Sequence, residues 1–311
     1  MKKLLPILVC LLLLVACGQS YEETKRLTRL QRREAMRQDS AALKIAVLPT
    51  LDCLPLYVAQ HYDLLDTLHG GVRLKMYNAQ IDGDTALLRG RVEGLVTDLV
   101  RAKKMEQQGL KVRYWAVTNS YWQLLSNRQA RIRKLRQLED KMIAMTRFSA
   151  TDLLSDLVAD TTHLQSDHVF KVQVNDLTIR MQMLQNNEMD ALWLTEPQAT
   201  MVRLHKHPVL FDSRSAGLHL GVVVFNDQEM QRPERAQQLA LFLKAYDQAC
   251  DSINKHGVRY YRNLVIRHFK VRKEYADSLP QLTFPHAQGP SAHDMARVEQ
   301  WLQHENNPKS N

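Results

Sequence analysis

Short apolar runs rich in β-formers alternate with helix-compatible stretches from Leu43 to Phe225, and few architectures accept that pattern. Strands are predicted at 43–48, 72–76, 92–96 and 111–117, with helices at 54–65, 84–89 and 99–107 between them. Asp84 is the expected cap of the short middle helix and Gly90 its stop, while Gly109 ends the helix that follows. After a basic stretch from Arg128 to Asp140 the pattern resumes, with strands at 142–145, 169–174, 191–194, 209–211 and 218–225. Helices begin at Ser149 and occupy 177–185 and 196–204, and Ser149 and Asp152 stand at capping-box spacing. Alternation of this kind calls for an α/β fold, with parallel sheets covered by helices. Three more helices follow, at 233–255, 258–269 and 291–305, the first opened by Pro233.

The amino terminus sets the compartment. Lys2 and Lys3 precede an apolar run from Leu4 to Val15, which fits an export signal and is too short to span a bilayer core of ~30 Å. Leu14-Val15-Ala16-Cys17 resembles a bacterial lipobox, which implies a signal over 1–17 and lipidation (palmitate included) of Cys17, and so a lipid-anchored envelope lipoprotein facing the periplasm or the exterior. Roughly 290 residues remain, enough for one large or two medium domains.

The chain carries 42 Lys and Arg against 33 Asp and Glu, net +9, or +7 once Lys2 and Lys3 leave with the signal. Part of that excess lies in a polar segment, 18–42, where Lys25, Arg26, Arg29, Arg32, Arg33 and Arg37 lack a sustained apolar face. It reads as a tether whose charge either meets anionic headgroups or is merely solvated. Basic residues elsewhere are scattered, so no nucleic acid is expected as a partner. Cys53 and Cys250 are the two cysteines left after Cys10 and Cys17; export permits a disulfide, but unpaired thiols are expected. No CxxC, HExxH or paired Cys/His spacing is present, and neither a metal nor a cofactor is expected.

A resemblance then emerges from three segments. Lys44 to Ala59, followed by Tyr62-Asp63-Leu64-Leu65, looks like the opening of solute-binding proteins of the nitrate, sulfonate and thiamine-precursor class of ABC importers, although the usual Gly of the turn is missing. The stretch 82–97 is similar to that family's helix, Gly and strand ending in a small polar residue. Asn186 to Pro197 resembles its G-x-x-D-A and E-P element, with Asn187 where Gly is usual.

The resemblance implies a two-lobe, periplasmic-binding-protein-like α/β fold whose hinge closes over an inter-lobe cleft. Lobe 1 would comprise 43–118 and 219–311, and lobe 2 would comprise 119–218. Loops at the carboxyl ends of strands would line the cleft. That places Thr50, Leu51, Asp52, Thr97, Asp98, Asn119, Tyr121, Trp122, Thr146, Arg147, Ser149 and Glu196 near a ligand.

Each has a plainer alternative. Asp52 and Ser149 could cap helices, and Glu196 could hold a helix start through the dipole. Trp115, Trp122 and Trp193 suit a core as well as a stacking cage, and Arg147 suits a bidentate contact to an anionic group. Asp52, Asp98 and Glu196 against one arginine favour a nitrogen heterocycle such as a thiamine precursor, with N–H donors for the carboxylates. The expected protein is thus a monomeric binding component, not an enzyme, whose partners are a small-molecule ligand, an ABC permease and, through its lipid, the membrane. The alternatives are a same-fold enzyme acting on a small metabolite and a lipoprotein scaffold. No G-x-S-x-G, P-loop or G-x-G-x-x-G stretch speaks for catalysis.

Overall fold

A computed structural model describes residues 21–164 and 168–306; the signal and Cys17 lie outside the described residues. The first described element, α1 (Tyr21–Ala41), is one exposed helix over most of the segment read as a basic tether. Its glutamates, lysines and arginines are good helix formers, and Glu34 and Arg37 pair at i,i+3. Its last turn is fastened to the body, because Asp39 receives Arg73 at 3.1 Å and Lys75 at 2.6 Å.

The body is built on two five-stranded mixed sheets. The first contains β1 (Leu43–Val47), β2 (Val72–Met76), β3 (Gly94–Asp98), β4 (Val112–Val117) and β10 (Gly221–Asn226), in the order β2-β1-β3-β10-β4. The second contains β5 (Gln123–Ser126), β6 (Lys141–Met145), β7 (Val169–Gln173), β8 (Ala191–Leu194) and β9 (Val209–Asp212), in the order β7-β6-β8-β5-β9. Their plans are the same: three parallel strands, then an antiparallel strand that the chain enters on crossing from the other sheet, then a fifth strand paired to it. This is the two-lobed α/β fold of periplasmic binding proteins.

The chain passes between sheets twice, through 118–122 and through 213–220. These segments run close together, and Gly221 stands where they meet: a Cβ there would lie 2.3 Å from Thr118 Oγ1 and 2.5 Å from Ser120 Cβ. Strand β10 is buried over Gly221–Phe225, as its unbroken Val222-Val223-Val224-Phe225 run requires of a strand covered on both faces.

Helices α2 (Leu54–His61), α3 (Gln80–Leu88) and α4 (Leu99–Gln107) follow the first three strands of lobe 1 or lie between them. In lobe 2, α5 (Ala150–Thr162), α6 (Leu177–Gln185) and α7 (Gln198–Leu204) play the same part. The chain ends in α8 (Pro233–His256), α9 (Arg262–Phe269), the short α10 (Lys273–Ala276) and α11 (Ala292–Asn306). One apolar cluster joins β1, α2, α8 and α9, and a second crosses between the lobes through Leu99, Val100, Leu153, Trp193 and Leu302. Cys53 and Cys250 are both free, buried in the first cluster.

Several local expectations need correction. Helix α3 begins at Gln80, not Asp84, because Gly83 lies inside it; a Cβ at Gly83 would come within 2.8 Å of Leu95, so the glycine permits close packing on β3. Asp84 is then a mid-helix residue, ion-paired to Arg101. The capping box at α5 is not reciprocal: Ser149 accepts from Thr151 N–H at 3.1 Å, while Asp152 accepts from Phe148 N–H at 2.8 Å. Strand β5 has no counterpart in the sequence reading, since Leu124 and Leu125 offer too short a pattern to register.

Candidate functional site

A cavity lies where the carboxyl ends of β1 and β3 face those of β6 and β8, the position at which open α/β sheets hold ligands. Lobe 1 contributes Leu48, Thr50, Asp52, Gln80, Val96 and Thr97, and the crossing segment adds Ser120 and Trp122. Lobe 2 contributes Thr146, Ser149, Thr151, Asn175, Leu177, Arg180 and Thr195. The lining is thus dominated by hydroxyls and amides, with one carboxylate and one guanidinium. The free space is about 40 Å³. At ~10–15 Å³ for each water centre this suits a few waters, well below the ~300 Å³ at which pockets for larger ligands begin.

The lobes already touch above this space. Leu51 N–H donates to the Glu196 carbonyl at 2.8 Å, Gln198 Nε2 reaches the Pro49 carbonyl at 3.4 Å, and Ala79 forms an isolated antiparallel bridge with Asp176. A ring-sized solute therefore needs the lobes to part before it enters and needs a wider chamber than this closed form offers.

Asp52 and Arg180 are opposite in charge and in availability. Asp52 is 8% exposed and accepts from Thr118 Oγ1 at 3.3 Å through Oδ2, while its Oδ1 has no partner. Burial pushes its carboxyl upward. The N-cap of α2 is Cys53, so capping does not occupy Asp52. Arg180 is largely committed to its surroundings, with four of its five N–H donors engaged: Nε donates to the Val174 carbonyl at 3.0 Å, Nη1 to the Trp193 carbonyl at 2.8 Å, and Nη2 to Thr146 Oγ1 at 2.7 Å and again to the Val174 carbonyl. Burial lowers its pKa to about 9, which still leaves it charged at neutral pH. Those four donors brace the cavity wall.

The start of α5 is likewise committed. Ser149 Oγ donates to the Thr146 carbonyl at 2.7 Å and caps Thr151 N–H. Asp98 reaches the Ala150 N–H from the other lobe, caps α4 by accepting from Arg101 N–H at 3.0 Å, and accepts from Gln80 Nε2 at 3.2 Å. Burial pushes its carboxyl up to about 6 against the opposing pull of Arg101. A helix start that could receive an anionic ligand is thus held by a carboxylate of the protein itself.

Of the residues predicted near a ligand, Thr50, Asp52, Thr97, Trp122, Thr146 and Ser149 line the cavity. Leu51 is core, with its backbone joining the lobes. Asn119 turns toward the carboxyl-terminal segment and donates to the Thr283 carbonyl at 2.6 Å. Glu196, whose peptide bond to Pro197 is cis, is buried and fully engaged: it accepts from Tyr121 Oη at 2.9 Å and Thr200 N–H at 3.0 Å and pairs with Arg203 at 2.7 Å. Tyr121 is covered by the Arg214 guanidinium, 4.0 Å from its ring centre. Arg147 is exposed and lines two clefts outside the cavity. Trp115 lies partly buried against the lobe 1 core, and Trp193 is buried, donating from Nε1 to Ser155 Oγ at 2.8 Å.

The sequence reading missed Gln80, Ser120, Thr151, Asn175, Thr195 and Arg180. One of these carried a signal: Leu177, Arg180, Met181 and Leu184 share a helical face at i, i+3, i+4 and i+7, and an arginine there is out of place unless its donors are buried with partners. Among the described residues no group of three or more His, Cys, Asp or Glu could hold a metal, and no helix is long and apolar enough to cross a membrane.

No family model and no curated protein sequence matches the chain. Solved structures do. The ligand-binding component of an ABC-type import system from Staphylococcus aureus, with zinc bound, superposes with a TM-score of 0.71 at 14% identity, covering 85% of this chain and 92% of that one. The alkanesulfonate-binding protein of Xanthomonas axonopodis pv. citri bound to MOPS gives 0.70 at 14% identity, over 86% and 93%. The periplasmic nitrate-binding protein of Synechocystis gives 0.66 at 12% identity, over 86% and 82%. At these identities the likeness is one of fold.

Proposed function

We propose that the protein is the solute-binding component of an ABC import system, capturing a small neutral or cationic nitrogen compound, of the thiamine-precursor kind, by closure of its two lobes. The observation that carries the ligand class is the state of the polar groups around the cavity. Asp52 offers an acceptor oxygen, Oδ1, without a hydrogen bond, whereas four of the five Arg180 donors are taken by the protein and the start of α5 is capped by Ser149. A sulfonate or nitrate would face the Asp52 carboxylate, with neutral hydroxyls and amides as its main donors. Binding requires no covalent step, since energy from lobe contacts is used for closure.

In this proposal lobe 1 is 43–118 with 219–311, lobe 2 is 119–218, and α1 is the spacer between the body and a lipid on Cys17, which would hold a monomer at the outer face of a membrane beside its permease. Cys17→Ser should move the protein from the membrane to the soluble fraction. The test of the ligand class is native mass spectrometry of the soluble body, then a thermal-shift panel of aminopyrimidines, thiamine, sulfonates and nitrate. A shift with the nitrogen heterocycles supports the proposal; shifts confined to the anions would reverse it. One observation favours a second reading, that of a lipoprotein scaffold: the free space is only about 40 Å³. Silence across the whole panel would favour that reading.

A further inference from the structure

A larger hollow lies away from the cleft, on a face where the lobes meet a second time. Its volume is about 450 Å³, within the ~300–1,000 Å³ typical of small-molecule sites. Lobe 2 lends it Arg128, His205 and His207; the carboxyl-terminal part of lobe 1 lends it Lys270, Arg272 and Tyr275. The two halves touch through His205 Nε2 and Tyr275 Oη, 3.0 Å apart.

The charge here is one-sided. Arg128, Lys270 and Arg272 bring three basic side chains, and no acidic residue lines the hollow. Among the described residues the one carboxylate paired with any of them is the exposed Glu274, 3.0 Å from Arg272. Like charges from two lobes are therefore brought to a common space by closure, with little neutralisation by the protein, in a concave site that focuses their field. An anion bridging Arg128 with Lys270 and Arg272 would remove that repulsion and supply charge-assisted bonds from both sides. Met181 and Met201 in the wall would accept an apolar portion carried by the anion.

We infer that this hollow is a second binding site, for a phosphate-bearing anion, and that its occupancy favours the closed arrangement of the lobes. The site is assembled from both lobes, so an anion that binds it must bind the closed form more tightly, and closure must strengthen the anion's binding by the same factor.

The test is calorimetric titration of the soluble protein with inorganic pyrophosphate, beside flotation with vesicles of phosphatidylglycerol or phosphatidylcholine. Arg128→Gln and Lys270→Gln, on opposite lobes, should each weaken the pyrophosphate affinity about tenfold, a change of about 1.4 kcal/mol. Arg89→Gln, an exposed arginine after α3 and outside both cavities, should leave it unchanged, which separates this site from general surface charge. Pyrophosphate binding sensitive to both variants assigns the site to a soluble anion. Flotation with phosphatidylglycerol alone, lost in the same variants, assigns it to a lipid headgroup and excludes α1 as the cause. Absence of both, or binding that neither variant alters, overturns the inference. An unchanged pyrophosphate affinity when the lobes are locked together by a disulfide across the far side of the cleft, at positions 79 and 176, would overturn the coupling to closure.

Discussion

The backbone N–H of Leu51, just after the first strand, donates to the carbonyl of Glu196, just after the last parallel strand of the second sheet, at 2.8 Å. These residues are 145 positions apart, and their bond closes the roof of the cavity from opposite lobes. With the Ala79–Asp176 bridge it makes two seams between the lobes. Both seams are a few backbone contacts, which cost little to open, whereas the cluster that includes Leu99 and Trp193 is buried and apolar.

A lock across one seam should trap the closed form. Residues in an antiparallel bridge have Cα atoms ~4.5–5.5 Å apart, inside the range a disulfide spans. Ala79→Cys combined with Asp176→Cys should oxidise readily, and the oxidised protein should exchange any cleft ligand at least about tenfold more slowly than the reduced one. Stopped-flow displacement with and without reductant measures this. Equal exchange rates in the two states would mean that ligands do not enter by parting these lobes.

Asp52→Asn should weaken binding of a nitrogen ligand about tenfold or more, since it replaces an acceptor-only group by one half donor. The same change should raise stability at neutral pH. The Asp52 carboxyl is pushed upward by burial, so its stabilising protonated form is fully present below the unfolded value of ~4 and is lost as pH rises. Affinity and urea midpoint, measured on the same preparation, should therefore move in opposite directions; a loss of both would mark Asp52 as a plain structural residue.

Asp98 offers the cleaner pH experiment because its carboxyl is pushed up to about 6. The sign follows from the raised value: stability from this group is complete below about pH 4 and is lost as pH rises through about 6. Asp98→Asn keeps a good cap for α4 and has no charge to bury. Melting temperatures of the two proteins should diverge in favour of the variant between pH 4 and 7, by the equivalent of about 2–3 kcal/mol at most. A constant difference across that range would show that Asp98 is ionised without penalty.

Arg180→Met should cost about 3 kcal/mol or more, because it leaves the Val174 and Trp193 carbonyls and Thr146 Oγ1 buried without the donors they now have. A urea midpoint within experimental error of the unsubstituted protein would show that those acceptors find other partners.

Periodicity in the chain was sufficient to reveal the parallel strands and their helices, with helices α4 and α6 and strand β8 recovered at their observed ends. Those elements are set by local patterns, a cap such as Asp98 or Asp176 followed by an apolar face, and such patterns are written in neighbouring residues. Half of the predicted ligand residues also fall on the cavity, because the carboxyl ends of parallel strands are identifiable without coordinates. The sequence by itself therefore determined an α/β chain of alternating strands and helices, while two lobes and the rim on which a site would sit followed from its resemblance to solute-binding proteins.

Tertiary structure decided the chemistry of that rim. Whether Asp98 meets a ligand or the start of α5, whether Glu196 is free or held by Tyr121 and Arg203, and whether the donors of Arg180 point at a solute or at carbonyls depend on contacts between residues dozens of positions apart. The same holds for the cationic hollow, whose two halves are separated by more than sixty residues of chain. A charged side chain has nearly the same local signature whether it is exposed, paired or left with an open valence. Its role is set by which groups the fold brings within about 3 Å, and that distance does not exist until the lobes are assembled.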